Sequence, residues 1–163
     1  MSCVILVSCT IEAQAYGANT YNQKRYAYVK LNGEAVWHAS WRGEHPRHTG
    51  SNMFIVDPSS CTLQEWRNFD THAVMNNPAA LLRDYLQGLG DGTLLVGVSC
   101  NEASKELDAA EATLSALGAD VSDVGWRGAW VFVAEIGDPS KTLLDKELTQ
   151  EAAYARQPQV RGV

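Results

Sequence analysis

The sequence predicts an α+β domain, a mixed sheet or β-sandwich flanked by two main helices. Three observations carry that expectation. The first part of the chain alternates polar and apolar residues around an Asn-Gly hairpin signal, and two later segments space their apolar residues as helices do. Those two segments bracket an apolar run, Thr93 to Val98, that reads as a buried strand. Strands followed by helices around later strands bury their apolar faces best as a sheet or sandwich covered by those helices.

Val4 to Gln14 keeps β-favouring residues, and Arg25 to Leu31 sets Tyr26, Tyr28 and Lys30 against Ala27, Val29 and Leu31. Asn32-Gly33 then turns the chain into Glu34 to His38. Ala39 to Ser51 follows neither period and reads as a surface loop, after which Met53 to Val56 and Thr62 to Trp66 flank Asp57-Pro58-Ser59-Ser60 as a second hairpin. Asn77-Pro78 supplies a cap and a proline at the first helical position. Leu81, Leu82, Tyr85, Leu86 and Leu89 continue that helix until Gly88 and Gly90 break it. Asp91-Gly92 turns into the buried strand, and Asn101 to Ser104 is a polar break. Ser104 is expected to cap a second helix carrying Leu107, Ala110, Leu114 and Leu117 and ended by Gly118. Val131 and Phe132 begin another buried strand, and Lys141 to Arg156 reads as a last helix. Residues 1–157 form a single domain on this reading, and 158–163 a C-terminal tail.

With 163 residues and 45% apolar content, the chain can bury roughly two thirds of its unfolded surface without a metal or disulfide. Its formal charge of −6, with Lys and Arg scattered, argues against a nucleic-acid or anionic-membrane partner, which would attract a concentrated basic patch. No apolar run approaches the roughly 20 residues of a membrane span, so no membrane insertion is expected, and Cys3 to Val7 reads as a strand rather than a leader. Cys3, Cys9, Cys61 and Cys100 permit disulfides without requiring them. On one strand, Cys3 and Cys9 would share a face roughly 20 Å apart, so any bridge must join different elements.

The residues offer little to an enzyme. Nucleophile-elbow, phosphate-loop and zinc-helix motifs are absent, and no catalytic residue is assigned. Glu44, His45 and His48 could approach a metal, but Pro46 and Arg47 lie between them and no third obvious ligand follows, so no metal or other cofactor is expected. Glu102, Glu106, Asp108 and Glu111 cluster around the second helix and read as a solvated face. Glu106 and Asp108, two apart on a helix, point away from each other, as a glycosidase pair cannot. Arg127 carries the most weight. Its planar guanidinium can hold paired hydroxyls or an acetamido carbonyl in a fixed fork, and it stands between Trp126 and Trp130 in a turn bounded by Gly125 and Gly128. The alternative is a structural clamp on a carboxylate or backbone carbonyl. One tryptophan of the pair belongs in the core and the other at the rim.

The motifs in this region resemble one family. Asp91-Gly92-Thr93, Asn101-Glu102-Ala103-Ser104, Ser115-Ala116-Leu117-Gly118 and Val124-Gly125-Trp126-Arg127-Gly128-Ala129-Trp130-Val131-Phe132-Val133 are similar to consecutive motifs of the ILEI/PANDER-like domain. Asn52 to Asp57 and Phe69-Asp70-Thr71-His72 extend the likeness, which runs over about residues 4–137. The resemblance is closest in motif to the carbohydrate-binding stem domain of protein O-mannose N-acetylglucosaminyltransferase. It implies a compact β-β-α sandwich, and it implies that Asn101 and Arg127 occupy the positions that hold a β-linked N-acetylglucosamine there. Asn101 departs from the family's acid, and Gly128 and Ala129 make the turn less polar than usual. An amide keeps one acceptor and adds a donor, so hydroxyl recognition can survive the change.

The expected function is therefore that of a lectin without turnover, binding N-acetylglucosamine or its β-linked oligomers through Arg127, Asn101, Glu102 and Trp126. The alternatives are a secreted cytokine-like factor and a glycan-acting enzyme. The resemblance favours a secreted or extracellular setting, and a lone weak sugar site favours a homo-oligomer that multiplies it.

Overall fold

The computed structural model describes residues 9–18, 26–40, 48–147 and 159–162. Among these residues, ten strands and two helices run in the order β1 (Ile11–Gln14), β2 (Tyr16–Gly17), β3 (Tyr26–Leu31), β4 (Glu34–Ser40), β5 (Gly50–Asp57), β6 (Thr62–Phe69), α1 (Pro78–Gln87), β7 (Leu94–Asn101), α2 (Asp108–Ala116), β8 (Ala129–Glu135), β9 (Asp138–Glu147) and β10 (Gln159–Gly162). They build the α+β fold the sequence predicts. A four-stranded sheet, in order β10-β1-β3-β4, lies on a six-stranded sheet in order β6-β5-β7-β8-β9, with β2 alongside β7.

Two cores explain why β5, β7 and β8 carry near-continuous apolar runs. On one face of the six-stranded sheet, Phe54, Val56, Val96, Val98 and Val131 meet Ile11, Ala13, Val29 and Trp37 of the other sheet. On the opposite face, Met53, Leu95, Trp130 and Phe132 meet Leu82 and Leu86 of α1 and Ala110 and Leu114 of α2. A strand covered on both sides has no polar face to alternate. Gly97 pairs across the ladder with Phe132, and a Cβ there would stand 2.3 Å from that ring. The aromatic residue needs the glycine.

Local chemistry sets the element ends. Asn32 and Gly33 both take positive φ, 50° and 84°, as a two-residue hairpin between β3 and β4 requires. The Asn77 side chain accepts from the Ala80 backbone N–H at 3.3 Å, with Pro78 opening α1. α2 ends as the sequence indicates. Gly118 takes φ 83°, its N–H reaches the Ser115 carbonyl and that of Ala119 reaches Leu114, the paired bonds of a Schellman turn.

Several expectations are corrected. Residues 141–147 belong to strand β9 rather than to a helix, because Leu143 and Leu144 pair with Val133 and Phe132 of β8. The remainder of that expected helix, to Arg156, lies outside the described residues. Residues 159–162, expected within a tail, form β10 on the edge of β1. The Ser104 hydroxyl caps no helix, since α2 starts at Asp108 behind Leu107 without a side-chain cap. The expected loop from Ala39 to Ser51 contributes its ends to β4 and β5, and residues 41–47 lie outside the described set, as do Cys3 and residues 4–8 of the segment expected to be β from Val4. Among the described residues one disulfide, Cys9–Cys61, joins the segment before β1 to the β5–β6 turn, different elements as the spacing required. Cys100 is a free, fully buried thiol whose pKa burial pushes up. Among the described residues no helix is long and apolar enough to cross a membrane.

Candidate functional site

The antiparallel pairing of β7 with β8 decides whether the two loops singled out in the sequence can meet. Val98 stands opposite Val131, so the end of β7, at Asn101, lies beside the start of β8, at Ala129. The polar break and the Trp-Arg turn therefore share one end of the six-stranded sheet.

Glu102 ties them. Its side chain is 2% exposed, and one carboxylate oxygen accepts from the Ser104 backbone N–H at 2.7 Å, the Ser104 hydroxyl at 2.6 Å and the Lys105 N–H at 3.1 Å. The other accepts from the backbone N–H of Arg127. A buried carboxylate is tolerated only when donors surround it, and these four come from both loops. This also explains Ser104: its hydroxyl serves Glu102 rather than a helix. Thr71 holds the same loop from the far side. Its hydroxyl donates to the Ala103 carbonyl at 2.9 Å, and its carbonyl accepts from Glu106 at 2.8 Å.

Arg127 takes φ 63°, a left-handed conformation that costs a side chain of its kind roughly 1–2 kcal/mol, and Asn101 takes φ 63° too, which asparagine tolerates more easily. Contacts from elsewhere over-determine both. The Asn101 carbonyl accepts from Ala18 at 2.6 Å, and its amide donates to the Thr49 hydroxyl at 3.4 Å. Gly17 pairs with Asn101 and lies under the turn, so close that a Cβ would stand 2.2 Å from the Arg127 carbonyl oxygen.

The guanidinium of Arg127 lies over the Trp126 ring, its central carbon 4.0 Å from the centroid. Among the described residues it joins none of the ion pairs. Trp126 is 53% exposed and Trp130 is 0% exposed, so the tryptophans divide into rim and core. A guanidinium over a ring face spends its charge on the ring quadrupole and keeps its N–H donors for another acceptor.

Of the four residues selected from sequence, Asn101, Trp126 and Arg127 present polar or aromatic groups at this end, whereas Glu102 turns inward and braces it. Sequence reading missed Gly17, Thr49 and Thr71. Only Thr71 left a signal, as the third residue of Phe69-Asp70-Thr71-His72. Among the described residues no group of three or more His, Cys, Asp or Glu side chains stands where it could hold a metal; of the Glu44–His48 segment only His48 is described. Glu111, between Asp108 and Asp120, has its carboxyl held above the usual range first by burial and then by those two neighbours, which is the behaviour of a crowded helix face.

Among curated proteins none matches the chain. The family model described as interleukin-like EMT inducer matches residues 49–138, a span that holds β5 to β8, both helices and every loop of the site except the segment carrying Gly17. That span exceeds half of the 163 residues, and the chain belongs to the interleukin-like EMT inducer (ILEI) family.

Proposed function

We propose that the chain binds carbohydrate without turnover, taking N-acetylglucosamine or its β-linked oligomers at Asn101, Trp126 and Arg127. The observation that carries this reading is the Arg127 guanidinium, stacked on a half-exposed indole and joined to no carboxylate among the described residues. A planar fork of donors suits an acetamido carbonyl or two neighbouring hydroxyls, and the indole offers an apolar face to a sugar ring. Asn101 adds an amide that can donate and accept. Binding rather than hydrolysis is favoured because Glu102, the carboxylate at this end, has both oxygens engaged by four donors of its own chain. Glu102 acts as a positioning residue.

The Cys9–Cys61 disulfide supports an oxidising, extracellular setting. Self-association would multiply a weak single site by roughly 10² to 10⁴ in avidity.

Calorimetric titration with N-acetylglucosamine oligomers tests the reading. The Arg127→Ala and Arg127→Lys variants leave the backbone N–H that bonds Glu102 in place, so both should fold while losing measurable affinity, because an ammonium does not reproduce the fork. Undiminished binding by folded Arg127→Ala removes this site, and release of shorter sugars would turn the reading toward an enzyme.

A further inference from the structure

A second aromatic platform stands midway along the edge strand β6 of the six-stranded sheet, where Trp66 pairs with Phe54. Trp66 is 38% exposed, yet its ring is fixed. The indole N–H donates to Asn52 Oδ1 at 3.3 Å, and the rings of His48 and Trp37 flank it at centroid distances of 4.9 and 6.3 Å. Trp37 in turn sits edge-on to Phe54 at 5.0 Å, anchoring the group to the inter-sheet core. A large aromatic held in one orientation loses little conformational entropy on binding, which suits it to present an apolar face to a ligand.

The platform connects to the Arg127 end through polar side chains. Asn52, fully buried, accepts from Trp66 and from Asn68 Nδ2 at 3.1 Å. Asn68 Nδ2 also donates to the Thr49 carbonyl at 3.0 Å, and the Thr49 hydroxyl accepts from Asn101. Hydrogen-bonded amides thus run from the proposed sugar site to the indole. The strand order β6-β5-β7-β8 puts three inter-strand spacings, roughly 14 Å, between the Trp-Arg turn side and Trp66, and because Trp66 pairs with Phe54 and Phe54 with Val96, five residues or about 17 Å along the strands separate its backbone from Asn101 as well. One sugar ring cannot touch both.

We infer that Trp66 is a second subsite, stacking on a further sugar unit of the oligosaccharide whose N-acetylglucosamine is held at Arg127; the inference rests on the carbohydrate reading above. The ligand class is then a β-linked oligosaccharide gripped at two points, and its affinity exceeds that of a monosaccharide because the second contact is intramolecular. A purely structural Trp66, sealing the aromatic cluster, makes the opposite demand: its loss should lower stability and leave oligomer affinity alone.

The experiment titrates N-acetylglucosamine and its β-linked tetramer into the wild-type chain, Trp66→Ala and Arg127→Ala, and follows the Trp66 indole N–H in ¹⁵N–¹H spectra, assigned by its disappearance in Trp66→Phe. The tetramer should bind the wild type roughly tenfold or more tightly than the monosaccharide. Trp66→Ala should erase that advantage and keep the monosaccharide affinity, and the indole resonance should move with the tetramer alone. Should Trp66→Ala fold poorly, the wild-type indole signal decides. Tetramer binding unchanged in folded Trp66→Ala, or an indole resonance unmoved at saturating tetramer, overturns the second subsite while leaving the Arg127 site standing. A wild type that binds neither sugar overturns the carbohydrate reading and this inference with it.

Discussion

The two ends of the six-stranded sheet solve the same problem, reversing the chain, in opposite ways. At one end, the β5–β6 turn, the Asp91-Gly92 entry to β7 and the β8–β9 turn at Gly137 rely mostly on local chemistry, with Cys61 at φ 53° tied to Cys9 by the disulfide and Gly92 donating to the Ile136 carbonyl at 2.7 Å as the exceptions. Asp57 and Asp138 bond serines two residues on, exposed to water, and glycines take φ 82° and 90° where the chain must bend. At the other end, Asn101 and Arg127 carry left-handed φ beside Gly50 and Gly125, and the bonds that hold their loops come from far along the sequence: Glu102 to Arg127, Thr71 to Ala103, Ala18 to Asn101. Local turns cost little and specify little. A turn strained by roughly 1–2 kcal/mol at Arg127 and pinned by distant partners persists only because its surroundings impose it, and such ends are where sites are built.

The largest effect should come from the quiet end. Cys9–Cys61 closes a separation of 52 residues, and its loss should cost about 4 kcal/mol by loop entropy. The comparison requires that a Cys9→Ser/Cys61→Ser protein unfold at much lower denaturant yet keep its sugar affinity below that midpoint. Equal loss of affinity and stability would join the two ends.

Glu102→Ala comes next. It leaves buried donors unpaired and releases both loops, at about 3 kcal/mol, or a melting temperature lower by on the order of 10 °C. Affinity should fall with it even though the carboxylate does not face the ligand. Unchanged affinity in the part of the melt where the protein is folded would show that the clamp does not position Arg127.

Glycine sharpens the contrast further. Gly17→Ala drives a Cβ against the Arg127 carbonyl and should cost about 2 kcal/mol together with sugar affinity, whereas Gly92→Ala meets no atom within 4 Å and should cost about 1 kcal/mol of backbone strain alone. Chemical denaturation paired with calorimetry reads both.

The smallest effect depends on pH. Asp57 is held below the ordinary aspartate value of 3.8 first by the Ser59 hydroxyl, and Asp138 first by that of Ser140. Because the folded pKa is the lower one, the stability these carboxylates give is complete above 3.8 and is lost as pH falls through their folded values. Asp57→Asn/Asp138→Asn should therefore melt slightly below the wild type at pH 7, and the gap should close toward pH 3. A gap that widens in acid reverses the sign and removes the local-turn account.

Much of this was legible in the sequence. Asn32-Gly33, Asn77-Pro78 and Gly118 each carry their turn or cap chemistry in one or two residues, and the structure forms each of them. The apolar run through Val98 announced a strand covered on both faces. Residues 141–147 misled because Lys141, Leu144, Asp145 and Glu147 space charge and apolar residues as a helix would, and only the open edge of β8 decides for a strand. Asn101, Trp126 and Arg127 were visible as residue types in suggestive loops. Glu102 was visible too, but its inward turn depends on the Arg127 backbone 25 residues away, and no local pattern encodes that. Gly17 was silent for the same reason: its neighbours at residues 127 and 128 lie across the fold.

The central claim is that the strained end of the sheet is the end that binds sugar, and a ¹⁵N–¹H titration of the wild-type chain with N-acetylglucosamine tests it most directly. The account predicts saturable shifts concentrated at 101–105 and 125–128, with residues 57–61, 91–93 and 136–138 unmoved. Shifts centred on those far-end turns, or no shift anywhere at millimolar sugar, would contradict it.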